Sequence, residues 1–307
     1  MKFLQCPALF IVTLFLAPIS HALDMNFRSV VPGVYAHIGE TGMRTYDNEG
    51  MNANSGFIVT DQGVVVVDSG STWKVAERIH TAIRKVTTQP VKYVINTGGQ
   101  DHRWLGNGYF KAQGTEIVAA HTAIDDMNAR GAMQLQGLAG ELKDKVAGTE
   151  VVLPTRTFEK REVLRLGDRE IHLIHFHGGH TPGDSVVWLP KERVLFSGDM
   201  VYVDRLLGVL PFSNATRWLA SFAEMETLQP QVIVPGHGEV CDLTKAQRES
   251  RDYLHQLVEH MRRAVDDMVD LQKAINSLDQ SAWKHLANYD LLKGGNASRV
   301  YLEMESR

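Results

Sequence analysis

Cysteine is nearly absent from this chain: Cys6 and Cys241 are the only two in 307 residues. That excludes a disulfide-stapled scaffold. Charge of one sign is not concentrated anywhere either. Lys and Arg number 32 against 36 Asp and Glu, a formal net charge of −4. With no basic block, a nucleic-acid partner has no electrostatic support. Long hydrophobic runs are also missing. The uncharged apolar run Ala8 to Ala17 falls short of the ~20 residues that a membrane span needs. What is present is the ordinary mixture of a globular protein, 44% hydrophobic and 22% charged, enough to bury a sizeable core.

The first 22 residues are a different material. Lys2 supplies a short positive region, the apolar run follows, and Ser20-His21-Ala22 is a small-x-small cleavage pattern. This predicts a secretory signal peptide cut after Ala22, hence a periplasmic or secreted protein with no membrane attachment once processed. Cleavage removes Cys6 and leaves Cys241 without a partner. It is then either a buried apolar residue or a thiol near the site, since it lies four residues after His237. No linker-like stretch divides residues 23–307, which read as one domain.

Within that domain, hairpins and strand–helix units alternate. Val34 to Ile38 is a strand, and Glu40 to Asn54 a long polar loop of the kind that often carries function. Ser55–Thr60 and Val64–Asp68 form a hairpin around Asp61-Gln62-Gly63. Val64 to Val67 are all β-branched, which predicts burial on both faces. Ser71 or Thr72 caps a helix to about Val86. Strands follow at Val91–Thr97, Glu116–Ala120, Thr157–Leu166, Glu170–Phe176, Val186–Leu189, Val194–Ser197 and Val232–Val234. Helices are expected near Asn107–Gln113, over Thr122–Lys145 and Asn214–Leu228, from Thr244 to about Ile275, and in the tail from Trp283 to Glu305. Leu254, Leu257, Val258, Met261, Val265, Met268 and Val269 make one apolar face on the long C-terminal helix. The sum is an α/β fold with mixed sheets.

Several strand ends carry His or Asp beside Gly: Asp101-His102, then His175 to Asp184 with Gly179-His180-Thr181-Pro182-Gly183, then Ser197-Gly198-Asp199, and finally Pro235-Gly236-His237-Gly238. Metal sites collect N and O ligands from separate parts of a chain, and glycine lets such turns approach a ligand closely. One surface histidine means little. A set of such ends in one chain points to a metal centre.

In this order, together with Val65-Val66-Val67-Asp68-Ser69-Gly70, these motifs resemble the metallo-beta-lactamase superfamily over nearly all of the mature chain. The resemblance implies a four-layer αββα sandwich, here with an extra C-terminal helical segment from about residue 244, and metal-dependent hydrolysis of a small-molecule substrate. It also implies ligands. The family motif His-x-His-x-Asp-His feeds two metal positions. Carried over, Asp101, His102 and His237 build the second, with Asp199 bridging, while the first keeps only His180 and Asp199. The leading histidines are absent: Thr97 and Gly99 stand there, or Gly98 if the stretch is one residue short. Thr and Gly do not replace an imidazole.

Three outcomes follow. One ion, zinc or else iron or manganese, sits at the second position and drives hydrolysis of an ester, thioester, lactone or lactam, as in those metallo-beta-lactamases that work with one zinc there. Alternatively His175 or His177, which share a strand face, rebuilds the first position with His180. Or catalysis is lost and the fold binds a metal or ligand, as an accessory to a sulfur-oxidation or quinoprotein system. On the hydrolytic reading Asp101 or Asp199 serves as base as well as ligand, with His180 the alternative base, and Asp68 and Asp184 orient the ligands. Substrate selection is expected from Glu40–Asn54, Arg103-Trp104 and Tyr202–Phe212. Trp104 either lines a pocket or packs in the core.

Overall fold

The computed structural model describes Leu23 and residues 25–307. The expected signal peptide over residues 1–22, with Cys6, lies outside the described residues. Strands β1 (Phe27–Val31), β2 (Val34–His37), β3 (Ser55–Thr60), β4 (Gly63–Val67), β5 (Val91–Asn96), β6 (Glu116–Ala120) and β7 (Arg156–Phe158) lie side by side in chain order in one sheet. Pairing is antiparallel from β1 to β4 and parallel from β4 to β7. The second sheet holds β8 (Arg161–Leu166), β9 (Arg169–His175), β10 (Ser185–Leu189), β11 (Val194–Tyr202) and β12 (Val232–His237), in the order β12-β11-β10-β9-β8. Only β11 and β12 run parallel in it.

Helices α1 (Trp73–Val86), α2 (Asp101–Trp104), α3 (Asn107–Ala112), α4 (His121–Leu142), α5 (Ala215–Glu226), α6 (Leu243–Ala246), α7 (Asp252–Asp266), α8 (Leu271–Ser277) and α9 (Tyr289–Glu305) complete the fold. Side-chain parity sorts the strands into layers. Val65 and Val67 face the other sheet, packing with Leu173, Val187, Phe196 and Val234. Their neighbours Val64 and Val66 face Ile79 and Ile83 of α1. On the second sheet Val186, Trp188 and Ile233 turn outward onto Phe222 and Met225 of α5. The layers are therefore helix, sheet, sheet, helix. The C-terminal helices gather a further cluster around Tyr202, Leu206, Leu207 and Trp218 at the end of β11.

Local chemistry explains most boundaries. The Thr72 hydroxyl accepts the Val75 N–H and starts α1. Two expectations are corrected. The single strand expected over Thr157–Leu166 is two, because Glu159 and Lys160 carry the chain from one sheet to the other: β7 pairs with β6, and β8 with β9. The single helix expected from Thr244 to Ile275 is broken. A π turn occupies Gln247–Arg251, Met268 has φ +53°, and Asp270 caps a fresh helix by accepting the Lys273 N–H. The π turn has a use: the Ser250 hydroxyl donates to the Tyr202 carbonyl and accepts the Tyr202 N–H, tying α7 to the end of β11.

Candidate metal centre

The parallel pairs β4–β5 and β11–β12 bring their C-terminal ends to one edge of the sandwich. There Asp199, in β11, meets His102 from α2 and His237 at the end of β12. His102 Nε2 lies 3.2 Å from Asp199 Oδ2, and His237 Nε2 lies 3.2 Å from Asp199 Oδ1. The three are buried, with ligand atoms within 4.8 Å of one another. His237 Nδ1 is 2.8 Å from the Asn52 carbonyl oxygen, so it carries the hydrogen and donates it. The Nε2 lone pair then faces a carboxylate oxygen, a repulsive contact unless a cation lies between. Burial, then the charge of Arg205, holds the His237 imidazole well below its ordinary pKa. The three ligand atoms could hold a metal ion there, and imidazole with carboxylate suits zinc, iron or manganese.

The same carboxylate is held from behind by Arg103. Its Nε donates to Asp199 Oδ2 at 3.1 Å and its Nη2 to Oδ1 at 2.6 Å, a bidentate pair. Nη1 donates to Asp68 Oδ2 at 3.0 Å and to the Asn54 carbonyl at 2.9 Å, and Nη2 also to the Gly236 carbonyl at 3.1 Å. All five guanidinium hydrogens are thereby used. A Cβ on Gly236 would stand 2.7 Å from both Nη2 and Asp199 Oδ1, so glycine is required there. Burial alone would raise the Asp199 carboxyl. Arg103, then His180 and His102, overrule it and hold the group well below the usual carboxylate range.

The other sequence-derived candidates are placed as follows. His180 is close, its Nδ1 3.6 Å from Asp199 Oδ2 and its Nε2 3.2 Å from the Tyr202 hydroxyl, and burial pushes its pKa down to about 4. Asp101 is not in the cluster. Its Oδ1 accepts the His102 N–H at 2.8 Å, and its Oδ2 is ion-paired with Arg44. Asp68, expected to orient a histidine, instead holds Thr97 and Arg103. Asp184 accepts the Thr181 N–H and hydroxyl. His175 Nδ1 is engaged by the Asp184 carbonyl, and exposed His177 pairs with Glu224, so neither supplies the first metal position. Trp104 and Arg103 are both core residues, and neither lines the cavity above the cluster. Cys241 packs with Ile233 and Ala246 in the outer apolar cluster.

Above the cluster is a cavity of about 160 Å³, lined by His102, His180, His237, Arg205, Asn52 and Gln100 among others. Loops Glu40–Asn54 and Tyr202–Phe212 both contribute to its wall. Buried polar side-chain atoms are normally paired. Of the six without a partner among the described residues, five line this cavity: Asn52 Oδ1, Gln100 Oε1, His102 Nδ1, His180 Nδ1 and Arg205 Nε. Arg103 and Arg205 carry no signal in sequence spacing; a charged residue after a turn ordinarily reads as solvated.

Comparison with known proteins agrees with this geometry. A model of the metallo-beta-lactamase superfamily matches residues 48–237. Metallo-beta-lactamase IND-1 of Chryseobacterium indologenes is 25% identical over 239 residues, covering 75% of this chain and 90% of that one. Acyl-coenzyme A thioesterase MBLAC2 of Gallus gallus is 29% identical over 107 residues, 34% of this chain and 38% of that one. The solved metallo-beta-lactamase from Pontibacter korlensis superposes with a TM-score of 0.61 at 22% identity, covering 75% of this chain and 98% of that one. The chain belongs to the metallo-beta-lactamase superfamily.

Proposed function

We propose that this member of the metallo-beta-lactamase superfamily is an exported hydrolase that works with one metal ion, zinc, held by His102, Asp199 and His237. Its substrate is a small molecule with an ester, thioester, lactone or lactam bond. The observation that carries the reading is the His237 Nε2 lone pair set 3.2 Å from a carboxylate oxygen, beneath a cavity walled by unpaired polar atoms. An ion held by these three residues would supply Lewis-acid polarisation of a carbonyl and activation of water. The chain does the rest. The Asn52 carbonyl fixes the His237 tautomer. Arg103 fixes the Asp199 carboxylate in one plane. His180, with an unpaired Nδ1 facing the same space, is placed to take a proton. Asp101 is engaged by Arg44 and is not the base.

Metal analysis of the purified protein tests the reading. The expected content is one zinc per chain, abolished by His237→Ala and by Asp199→Asn. A value near two overturns the single-ion site. No uptake from added zinc favours a non-catalytic ligand-binding protein. A hydrolysis screen over lactams, lactones and acyl thioesters should give activity that both substitutions remove; activity surviving both means the site lies elsewhere. Export predicts a mature chain beginning at Leu23, read by N-terminal sequencing of the periplasmic fraction.

A further inference from the structure

β12 carries His237 at its last position and is the edge strand of the second sheet. One side of it pairs with β11. Along the other side, among the described residues, there is only the bridge from Ile233 to Cys241. No strand runs beside Pro235-Gly236-His237-Gly238 there. The stretch is also loose by composition, with glycine on both sides of the histidine and Gly238 at φ +89°. An edge end of this kind needs cover for its carbonyls, all the more where it is buried.

Asn54, the residue before β3 in the other sheet, supplies that cover. Its Nδ2 donates to the Pro235 carbonyl at 2.8 Å and to the Gly238 carbonyl at 2.8 Å. Its backbone N–H donates to the Gly236 carbonyl at 2.8 Å. One residue, 3% exposed, thus takes three carbonyls that bracket His237. Asn54 Oδ1 accepts the Gly39 N–H at 2.9 Å, which fixes the sense of the amide. Flipped, its oxygen would face two carbonyl oxygens. The Asn54 carbonyl meanwhile accepts from Arg103, the residue that holds Asp199. A primary amide puts two donors on one atom with an acceptor beside it, which a hydroxyl or a carboxylate does not. The clasp crosses between sheets and lands on either side of one metal ligand, yet Asn54 does not line the cavity.

We propose that Asn54 is a positioning residue for the metal ligand His237. Its amide clasps the turn so that the imidazole keeps Nδ1 on the Asn52 carbonyl and Nε2 towards Asp199. This deepens the site described under Proposed function and rests on that reading. If Asn54 only welded the two sheets together, its loss would lower stability and leave the His237 ring and its affinity for metal as they are.

Three variants test it. Asn54→Asp keeps the size and removes both donors, and Asn54→Ala removes the side chain. Thr60→Val is the stability control at the far end of the same strand, where the Thr60 hydroxyl donates to the Gly63 carbonyl and accepts the Gln62 N–H. In metal-free, isotope-labelled protein, NMR should show the His237 Nδ1 hydrogen in wild type and in Thr60→Val. Both Asn54 variants should lose that signal to solvent exchange. Zinc affinity, measured by competition with a chelator, should fall about 10–100-fold in the Asn54 variants, the range for an outer-shell partner. Thr60→Val should bind zinc as wild type does, although it unfolds at a lower temperature. Wild type alone gives a further check: both Asn54 Nδ2 hydrogens should exchange slowly, and fast exchange overturns the proposal even if no variant folds. An unchanged His237 signal in either Asn54 variant overturns it too. So does zinc affinity that equals wild type in those variants, or that simply follows unfolding temperature across all three. If the metal reading fails instead, wild type takes up no zinc while the His237 signal still separates the Asn54 variants from Thr60→Val.

Discussion

Replacing Arg103 by Met separates the arginine's charge from its bulk, since Met keeps most of the stem and fills the space. The magnitude follows from the contacts. Five N–H donors are lost, three of them to carboxylates. Asp68 and Asp199, 2% and 3% exposed, are left as buried acids without a counter-ion. Removing one partner of a buried charge pair costs about 3–5 kcal/mol, and this pair is a triad. Denaturant unfolding of chelator-treated protein should therefore show a loss at the upper end of that range, with an unfolding temperature lower by roughly 10 °C or more. Zinc should then rescue the variant more than it stabilises wild type, because a dication beside Asp199 restores the missing charge. A loss under about 1 kcal/mol, the range of an exposed ion pair, would refute the argument, as would a zinc-induced shift no larger than in wild type.

Two further outcomes follow from buried titratable groups outside the ligand set. Burial pushes the Asp184 carboxyl up to about 8, against the hydrogen bonds from Thr181. The folded state then holds this proton where the unfolded state has released it, so its contribution is full below about pH 4 and lost as pH rises towards 8. Wild type should lose stability across that window more steeply than Asp184→Asn, measured by urea midpoints at several pH values; parallel profiles would mean that Asp184 is ionised throughout. The Cys241 thiol is pushed up to about 12 by burial, so Cys241 should not react with Ellman's reagent until the chain is unfolded; fast labelling of Cys241 in the native chain, located by peptide mass mapping, would contradict this.

Much of the scaffold was legible because period and punctuation agree with packing. The unbroken β-branched run Val64 to Val67 called for burial on both faces, and its residues do divide between the two clusters. The cap before α1 could be read from Ser71-Thr72. The sheet exchange at Glu159-Lys160 could not, since both halves of that segment alternate like strands and only tertiary pairing separates them. The break at Met268 was hidden for a related reason: Val265, Met268 and Val269 continue the apolar face in sequence, yet Met268 is 91% exposed. At the site, His102, Asp199 and His237 were readable because glycine-flanked ligands at strand ends are a local pattern. The partners of Asp101 and Asp68 were not, because Arg44 and Arg103 reach them through orientation rather than spacing.

The missing histidines look different once those arginines are placed. The Gly99 carbonyl accepts from Gln134 at 2.8 Å and from the Trp104 indole at 3.2 Å, which pulls the loop down onto α4. A Cβ on Gly99 would stand 2.1 Å from an Asp126 carboxylate oxygen, and one on Gly98 would stand 2.8 Å from Asp184 Oδ1. No side chain, let alone an imidazole, enters at either position without moving buried carboxylates. The two glycines are thus required by packing, not simply positions that lost a ligand. The bridging carboxylate is meanwhile supplied with a fixed positive charge by Arg103. Loss of ligands through drift predicts an uncompensated Asp199, and here Arg103 compensates it with a bidentate pair. The Gly-Gly turn and the buried arginine are two halves of one arrangement, in which a guanidinium occupies one side of Asp199 and leaves the other facing His102 and His237.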